Sequence, residues 1–164
     1  CSRDWSSDVC SSDLAIADAK AFCDSKGIKY IEKNGTTTAE VQMAAEALIA
    51  AGVKAVFTPT DNTVMTAELS IYETFTEAGV QHYTGADSFV TAGAFATCGV
   101  NYTELGTYTA DMALDILETG VVPAYHVMDG GIITVNTETA AALGIDYSAF
   151  NDLAGQVGEV TTAE

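Results

Sequence analysis

The sequence predicts an α/β fold in which a parallel sheet is flanked by helices. Segments with apolar residues at helical spacing alternate with short apolar runs rich in β-branched and aromatic residues, from Ala15 to Gly120. Three glycines, Gly27, Gly52 and Gly79, stand where successive helical patterns stop. This alternation is typical of right-handed βαβ units, which build parallel sheets.

The length and charge of the chain narrow the classes of function. Its 164 residues suit one domain, and 48% of them are hydrophobic, which is enough for a core. The formal net charge is -17, and no Lys or Arg follows Lys54. Nucleic-acid binding needs a basic surface, and nucleotide triphosphates are usually held by a P-loop lysine, so both functions are disfavoured.

The first half of the chain contains two predicted helices and a strand between them. Apolar residues recur at helical spacing over Ala15–Cys23, and Gly27 ends this first helix. Ile28–Glu32 is predicted as a short strand. The capping-box pattern Thr37–Glu40 begins a second helix, which Gly52 ends.

The middle of the chain continues the alternation. Strands are predicted over Val53–Thr58, Val80–Thr84 and Ala96–Val100, with helices over about 62–78 and 103–118. The inner face of the first of these helices is predicted to contain Val64, Met65, Leu69, Tyr72 and Phe75. That of the second is predicted to contain Leu105, Tyr108, Met112, Ile116 and Leu117.

The pattern changes after Gly120. Residues 121–131 hold a proline and a Gly pair, which predicts an irregular connection. Ile132–Val135 is predicted as a strand and Thr137–Leu143 as a short helix. The small, polar tail from Asn151 is predicted to fray.

The first fourteen residues, Cys1–Leu14, resemble no fold. From Asp4 to Leu14 they match, codon by codon, the translation of a common sequencing-library adapter. We therefore interpret residues 1–14 as a sequencing-adapter artefact and exclude them from the fold prediction.

Catalytic and metal sites have little support in the sequence. There is no GxGxxG after a strand, no GxSxG and no HExxH motif, and the four cysteines show no CxxC spacing. Cys23 and Cys98 are predicted to be buried, and His82 and His126 to be structural or surface histidines. We therefore expect no catalytic residue, no metal and no cofactor.

Polar residues follow three predicted strands at the points where they end. These residues lie within Thr58–Asn62, Gly85–Ser88 and Asn101–Tyr102. The carboxyl ends of parallel strands share one edge of a sheet, where α/β proteins bind ligands, so we expect the three groups to converge. The predicted ligand-binding residues, called here the strand-end cluster, are Thr60, Asp61, Asn62, Asp87, Ser88, Asn101 and Tyr102.

The chemistry of this cluster suits an amino acid. Asp61 and Asp87 could accept hydrogen bonds from a ligand ammonium, the amides and hydroxyls could bind a carboxylate, and Phe89 and Tyr102 could offer flat apolar surface. Structural roles are the alternative: Asp61 caps a helix, Asp87–Ser88 forms a turn and Tyr102 packs in the core.

Several of these motifs together resemble one family. The runs Val56–Val64, Gly85–Ser88, Gly99–Tyr102 and Ile133–Asn136 are similar, in this order, to bacterial ABC-transporter substrate-binding proteins whose characterised members take up aromatic amino acids. The likeness extends over nearly all of Ala15–Phe150.

The resemblance implies a type I periplasmic-binding fold, in which two α/β lobes close over one small ligand. Residues 15–120 would be the second lobe and residues 121–164 the hinge crossover and return segment, with the first lobe lacking. Thr60–Asn62 and Asp87–Ser88 would line the cleft. The resemblance also implies strand order 2-1-3-4-5, with an absent central strand between Ile28–Glu32 and Val53–Thr58.

The same resemblance implies a biological setting. The protein would be extracytoplasmic, in the periplasm or lipid-anchored at the outer face of the cell membrane, and would deliver an amino acid to ABC permease subunits. Its only membrane contact would be through the anchor. The ligand-sensing domain of a transcription regulator has the same fold and is the alternative function, with an α/β enzyme third.

Overall fold

The computed structural model describes residues 11–124, 126, 128 and 130–163. The predicted adapter segment therefore lies outside the described residues, except that Ser11–Leu14 begin the first helix. The helices are α1 Ser11–Lys26, α2 Thr38–Ala50, α3 Asn62–Glu77, α4 Asp87–Thr91, α5 Tyr102–Thr119 and α6 Thr137–Leu143, with a 3₁₀ helix at Ser148–Asp152. The strands are β1 Ala55–Thr58, β2 Gln81–Thr84, β3 Ala96–Gly99, β4 Ile132–Asn136 and β5 Gln156–Val160.

The five strands form one sheet in the order β1-β2-β3-β4-β5. β1, β2 and β3 are parallel, which confirms the predicted α/β fold with helices around a sheet. β4 runs antiparallel to β3, and β5 is parallel to β4. The connection after α5 returns the chain to the carboxyl end of β3, where Gly131 N donates to Gly99 O at 3.3 Å. β4 therefore has to run in the opposite direction.

The predicted helices are confirmed to within a few residues at their ends. Thr37 caps α2, because its hydroxyl accepts from Glu40 N at 3.2 Å. Glu40 completes the capping arrangement one residue earlier than predicted, since its carboxylate accepts from the N–H and the hydroxyl of Thr36. The five-residue helix α4 was not predicted, and it replaces the turn expected at Asp87–Ser88.

The strand predicted over Ile28–Glu32 is wrong. This segment has no strand pairing, and Ile28, Tyr30 and Ile31 are exposed. A strand needs a neighbour for its backbone N–H and C=O groups, and no described strand lies beside this one. β-propensity alone is therefore insufficient here.

The prediction that the tail frays is also wrong. Gln156–Val160 forms β5, which pairs in register with β4 along its whole length. Val157 packs against the cluster that contains Phe95 and Val135. Ladder hydrogen bonds and this apolar contact outweigh the small, polar composition of the segment.

The core consists of separate apolar clusters on either side of the sheet. α2 and α3 contribute Val41, Ala45, Ile71 and Phe75, which pack with Val56 of β1. A second cluster joins β3 and β4 to α6 and the 3₁₀ helix. These contacts hold α3 and the end of β1 in a fixed relation.

Two predicted inner faces differ from the structure. In α3, Leu69 is 64% exposed, whereas its neighbour Glu68 is completely buried. In α5, which the structure describes along its whole length, no residue is buried, and Leu117 is 82% exposed. α5 thus has its predicted apolar stripe but buries none of it completely, and Leu105, Met112 and Ile116 are half-buried.

Candidate functional site

Three strand-to-helix turns lie at one edge of the sheet. β1, β2 and β3 are parallel neighbours, and each is followed within four residues by a helix, namely α3, α4 or α5. The first N–H groups of a helix lack partners within the helix and give its end a partial positive charge. This edge therefore concentrates hydrogen-bond donors.

Asp61 is the N-cap of α3. Its Oδ1 accepts from Thr63 N at 2.7 Å and from Val64 N at 3.1 Å. Both bonds use one oxygen, so the cap does not require Oδ2. Asn62 is the exposed first residue of the helix, and Thr60, also exposed, precedes the cap. The predicted capping role of Asp61 is confirmed.

The turn after β2 touches the turn after β1. A methyl group on Gly85 would lie 2.6 Å from Thr60 Oγ1 and 2.9 Å from Thr60 N, so this close approach requires glycine. Asp87 and Ser88 are the first residues of α4, with Asp87 half-buried and Ser88 exposed. The sequence alone did not indicate the role of Gly85.

The turn after β3 completes the row. Asn101 caps α5, since its Oδ1 accepts from Thr103 N at 3.0 Å and Glu104 N at 3.2 Å. A methyl group on Gly99, at the end of β3, would lie 3.7 Å from Asp87 Oδ1. The three turns are therefore adjacent, as the sequence predicted; that the strand-end cluster binds a ligand stays a prediction.

The two aromatic residues expected near the cluster have different surroundings. Tyr102 is 57% exposed, so it is available at the edge and is not a core residue. Phe89 is 2% exposed and packs with Ala86, Ala94 and Met65. The expectation that Phe89 offers surface to a ligand is wrong, because the unpredicted helix α4 turns its side chain into the core.

A cavity of about 470 Å³ lies on the sheet near this edge. It contains Phe57, Tyr83 and Cys98, which strand alternation places on the face opposite Val56 and His82. Of the strand-end cluster only Thr60 lines it. The full lining is Ala15, Phe57, Pro59, Thr60, Tyr83, Thr84, Gly85, Ala96, Thr97 and Cys98.

The exposure of Cys98 contradicts the prediction that this side chain is buried, and Cys23 is only half-buried. The face of the sheet that carries Cys98 also carries Phe57, which is exposed. Apolar character in a strand predicts burial only where a helix covers that face. The cavity thus lies on a sheet face that is only partly covered, and α1 contributes Ala15 to its lining.

A buried polar cluster behind the β1–α3 turn was missed by the sequence analysis. It is defined by Thr58, His82 and Glu68. His82 is confirmed as a structural histidine: Nε2 lies 3.0 Å from Thr58 Oγ1, and Nδ1 lies 3.1 Å from Glu68 Oε1. His126 is an exposed histidine whose ring lies 4.5 Å from that of Tyr108.

Metal-site groupings and membrane-spanning helices are both absent from the described residues. Among residues 11–124, 126, 128 and 130–163, no three His, Cys, Asp or Glu side chains are grouped as a metal site would need. Within the same residues, no helix has the length and apolar character needed to cross a membrane.

A row of helix N-termini at the carboxyl ends of parallel strands is the place where open α/β folds bind ligands. Residues 5–155 match the family model described as ABC transporter substrate binding protein. The chain therefore belongs to the ABC transporter substrate-binding protein family.

Relatives of known name agree with this assignment. A tyrosine-binding protein of Clostridioides difficile (strain R20291) is 27% identical over 118 residues, which cover 70% of this chain and 34% of the relative. The ligand-free, open structure of a substrate-binding protein with adhesive properties from Clostridium difficile is 28% identical, with a TM-score of 0.73, and the match covers 96% of this chain and 52% of that one.

Two other solved structures show the same fold. An ABC domain from Streptococcus pneumoniae in complex with L-Trp has a TM-score of 0.74 at 24% identity, covering 89% of this chain and 50% of that one. A conserved domain protein from Vibrio cholerae has a TM-score of 0.72 at 28% identity, covering 88% and 50%. The chain thus spans about a third of the length of its curated relative and about half of these solved chains.

Proposed function

We propose that this chain belongs to the substrate-binding component of an ABC importer, which captures an amino acid with an aromatic side chain and delivers it to a permease. One observation of the structure carries the proposal. Three turns with exposed or half-buried polar side chains meet at the edge of the parallel strands, where Thr60 touches Gly85 and Asp87 approaches Gly99.

The charges of this edge suit a zwitterion. Asp61 has a carboxylate oxygen that its cap does not use, and Asp87 is half-buried beside it in the row of turns. Either could accept from a ligand ammonium, which gives a charge-assisted hydrogen bond. At the helix N-termini, the N–H groups that the caps Asp61 and Asn101 do not use could donate to the ligand carboxylate.

The aromatic part of the ligand has a partner at the same edge. The ring of Tyr102 is exposed and could stack on an aromatic side chain. Support for the ligand class comes from relatives: one is named a tyrosine-binding protein, and another structure holds L-Trp. Asn62, Ser88 and Asn101 would then orient the backbone groups of the ligand.

We also propose the organisation that the family implies. Residues 15–120 would form the second lobe, residues 121–164 the hinge crossover and return segment, and the first lobe would close over the ligand. Coverage of about half of the solved chains supports this division. Capture would then occur by lobe closure without a covalent step, in an extracytoplasmic protein held by a lipid anchor outside this chain.

A thermal-shift screen of the full-length gene product that contains this sequence tests the proposal. Tryptophan, phenylalanine and tyrosine should raise the melting temperature, while sugars and phosphate esters should leave it unchanged, because only an amino acid matches both carboxylates and helix N-termini. Calorimetry would then measure the affinity. Stabilisation by a sugar alone would overturn the proposed ligand class.

A further inference from the structure

The buried polar cluster is unusual because burying it costs free energy of folding. Glu68 and His82 are both buried almost completely, with 0% and 2% of their side chains exposed. Glu68 Oε1 is at ion-pair distance from His82 Nδ1, but neither of these atoms forms a hydrogen bond in the described part of the chain, and neither does Glu68 Oε2. Burial of a carboxylate with so few partners costs free energy of folding. Its presence here therefore points to a role other than packing.

The position of the cluster indicates that role. Thr58 is the last residue of β1 and stands three positions before Asp61, the cap of α3. Glu68 lies on α3 itself, and His82 comes from β2. The contacts Thr58–His82–Glu68 therefore connect the two ends of the β1–α3 turn through the neighbouring strand.

The other contacts around the β1–α3 turn leave its position dependent on the contacts among Thr58, His82 and Glu68. On the outer side, Thr60 lies so close to Gly85 that a methyl group on Gly85 would clash with it. On the inner side, the ring of His82 is held at 5.1 Å from the ring of Phe75 on α3. The hydroxyl of Thr58 thus sets the position of the backbone that leads into Pro59 and Thr60.

A carboxylate, an imidazole and a hydroxyl in this order also occur in nucleophilic catalysis. Thr58 does not fit that role, because it does not line the cavity, and strand alternation places it on the face of Val56, against which α2 and α3 pack. The cluster is a support for the turn.

We propose that Thr58, His82 and Glu68 are positioning residues for ligand binding, which hold Thr60, Asp61 and Asn62 in the geometry that the ligand requires. This inference rests on the proposed function, since it assigns a role in binding to residues that do not touch the ligand. The Thr58 hydroxyl is the atom that transmits the position of His82 to the turn.

The test compares two variants of Thr58 in the full-length gene product. Thr58→Val keeps the shape but removes the hydroxyl, and Thr58→Ser keeps the hydroxyl. Thr137→Val is the matched control, because Thr137 is half-buried and donates to Val160 O at 3.3 Å, on β5. Tryptophan, phenylalanine and tyrosine are the ligands, measured by calorimetry.

We expect Thr58→Val to lower the affinity about five- to tenfold, roughly the effect of one hydrogen bond, and Thr58→Ser to restore it. In ¹⁵N NMR, the imidazole signal of His82, assigned by its loss in His82→Gln, should shift in Thr58→Val together with the amide signals of Thr60 and Asp61. Thr137→Val should change neither signal set nor affinity.

The outcomes separate the two proposals. If the parent protein binds none of the three amino acids, the proposed ligand class fails, and unshifted Thr60 and Asp61 signals in Thr58→Val would overturn the positioning role independently. If the parent binds and Thr58→Val binds equally well, the cluster is only a part of the core and the inference is wrong. Equal losses in Thr58→Val and Thr137→Val would overturn it too.

Discussion

Asn136 Nδ2 donates a hydrogen bond to Val90 O at 2.9 Å, although 46 residues separate them in the sequence. Asn136 is completely buried at the junction of β4 and α6, and its Oδ1 caps α6 by accepting from Glu138 N and Thr139 N. One side chain therefore fixes α6 and also α4, the helix that begins with Asp87. The middle turn of the row, which carries Asp87, therefore depends on this contact.

Asn136→Ala should lower the free energy of unfolding by about 2–4 kcal/mol, because it removes a cap and, at a buried site, the hydrogen bonds to Val90 O and Thr162 Oγ1. Asn101→Ala is the matched control: it removes the same kind of cap from α5, but Asn101 is less buried, so the loss should be about 1 kcal/mol. Urea unfolding of both variants in the full-length product gives the comparison. Equal losses would contradict the role assigned to the Val90 contact.

Substitutions of Asp61 should separate its charge from its cap. Asp61→Ala should weaken amino-acid binding by about 2–4 kcal/mol and stability by about 1 kcal/mol. Asp61→Ser keeps a capping oxygen for Thr63 N and Val64 N but loses the charge. It should therefore retain stability while losing most of the affinity. Calorimetry that finds parental affinity in Asp61→Ser would leave Asp61 as a cap and nothing more.

Gly85→Ala should displace the β1–α3 turn. The added Cβ would lie 2.6 Å from Thr60 Oγ1 and 2.9 Å from the backbone of Thr60, so the turn has to move. We expect about 1–3 kcal/mol of destabilisation and at least about tenfold weaker binding. Gly106→Ala, on α5, meets nothing within 4 Å and should be neutral or slightly stabilising. Unchanged affinity in Gly85→Ala would show that the ligand does not depend on this turn.

The stability of the first turn of α2 should depend on pH, because Glu40 titrates there. Hydrogen bonds from the N–H and then the hydroxyl of Thr36 hold the pKa of Glu40 below its ordinary value of 4.5. Its contribution to stability is therefore present above the ordinary value and is lost as the pH falls through the lowered pKa. An NMR titration of the Glu40 carboxyl should have its midpoint below 4.5, and Thr36→Val should raise it. A midpoint at or above 4.5 would contradict this contact.

The sequence predicted those parts of the fold that local patterns determine. Apolar spacing with a cap at one end and glycine at the other located α2, α3, α5 and α6, and polar residues after three strands located the row of turns. In α3 the predicted inner face was right at Phe75 but wrong at Leu69, which was chosen because it is the more hydrophobic neighbour of Glu68. Only the position of His82 on β2 explains why the carboxylate points inward, and this contact is not a local property.

Partners distant in sequence also explain the other errors. Gln156–Val160 has weak strand character but finds β4, whereas Ile28–Glu32 has strong strand character and finds no neighbour. Phe89 was assigned to the surface because α4 was not predicted. The close approach of Thr60 to Gly85 could not be predicted for the same reason, because it depends on how two neighbouring strands are aligned.

The 164-residue chain by itself should be poorly stable. β1 pairs with β2 on one side only, the extended segment Ile28–Glu32 pairs with nothing described, and α5 buries no residue. The family resemblance implies a strand between Ile28–Glu32 and β1, which would satisfy both sets of backbone groups. Without this strand, the free energy gained by burying apolar surface is too small to offset the conformational entropy lost when α1 and α5 become ordered. We therefore expect no sharp thermal transition.

Circular-dichroism melts and calorimetry of three lengths test this expectation. The chain alone should melt gradually and show no measurable binding, because half of a two-lobed cleft leaves one face of the ligand in water. Adding the central strand that the family resemblance implies should restore cooperative unfolding, since β1 then gains its second neighbour. Binding should return only when the first lobe is present as well. A cooperative melt and micromolar affinity for the 164-residue chain alone would show that β1 needs no second neighbouring strand. The same result would show that the proposed two-lobed site is wrong.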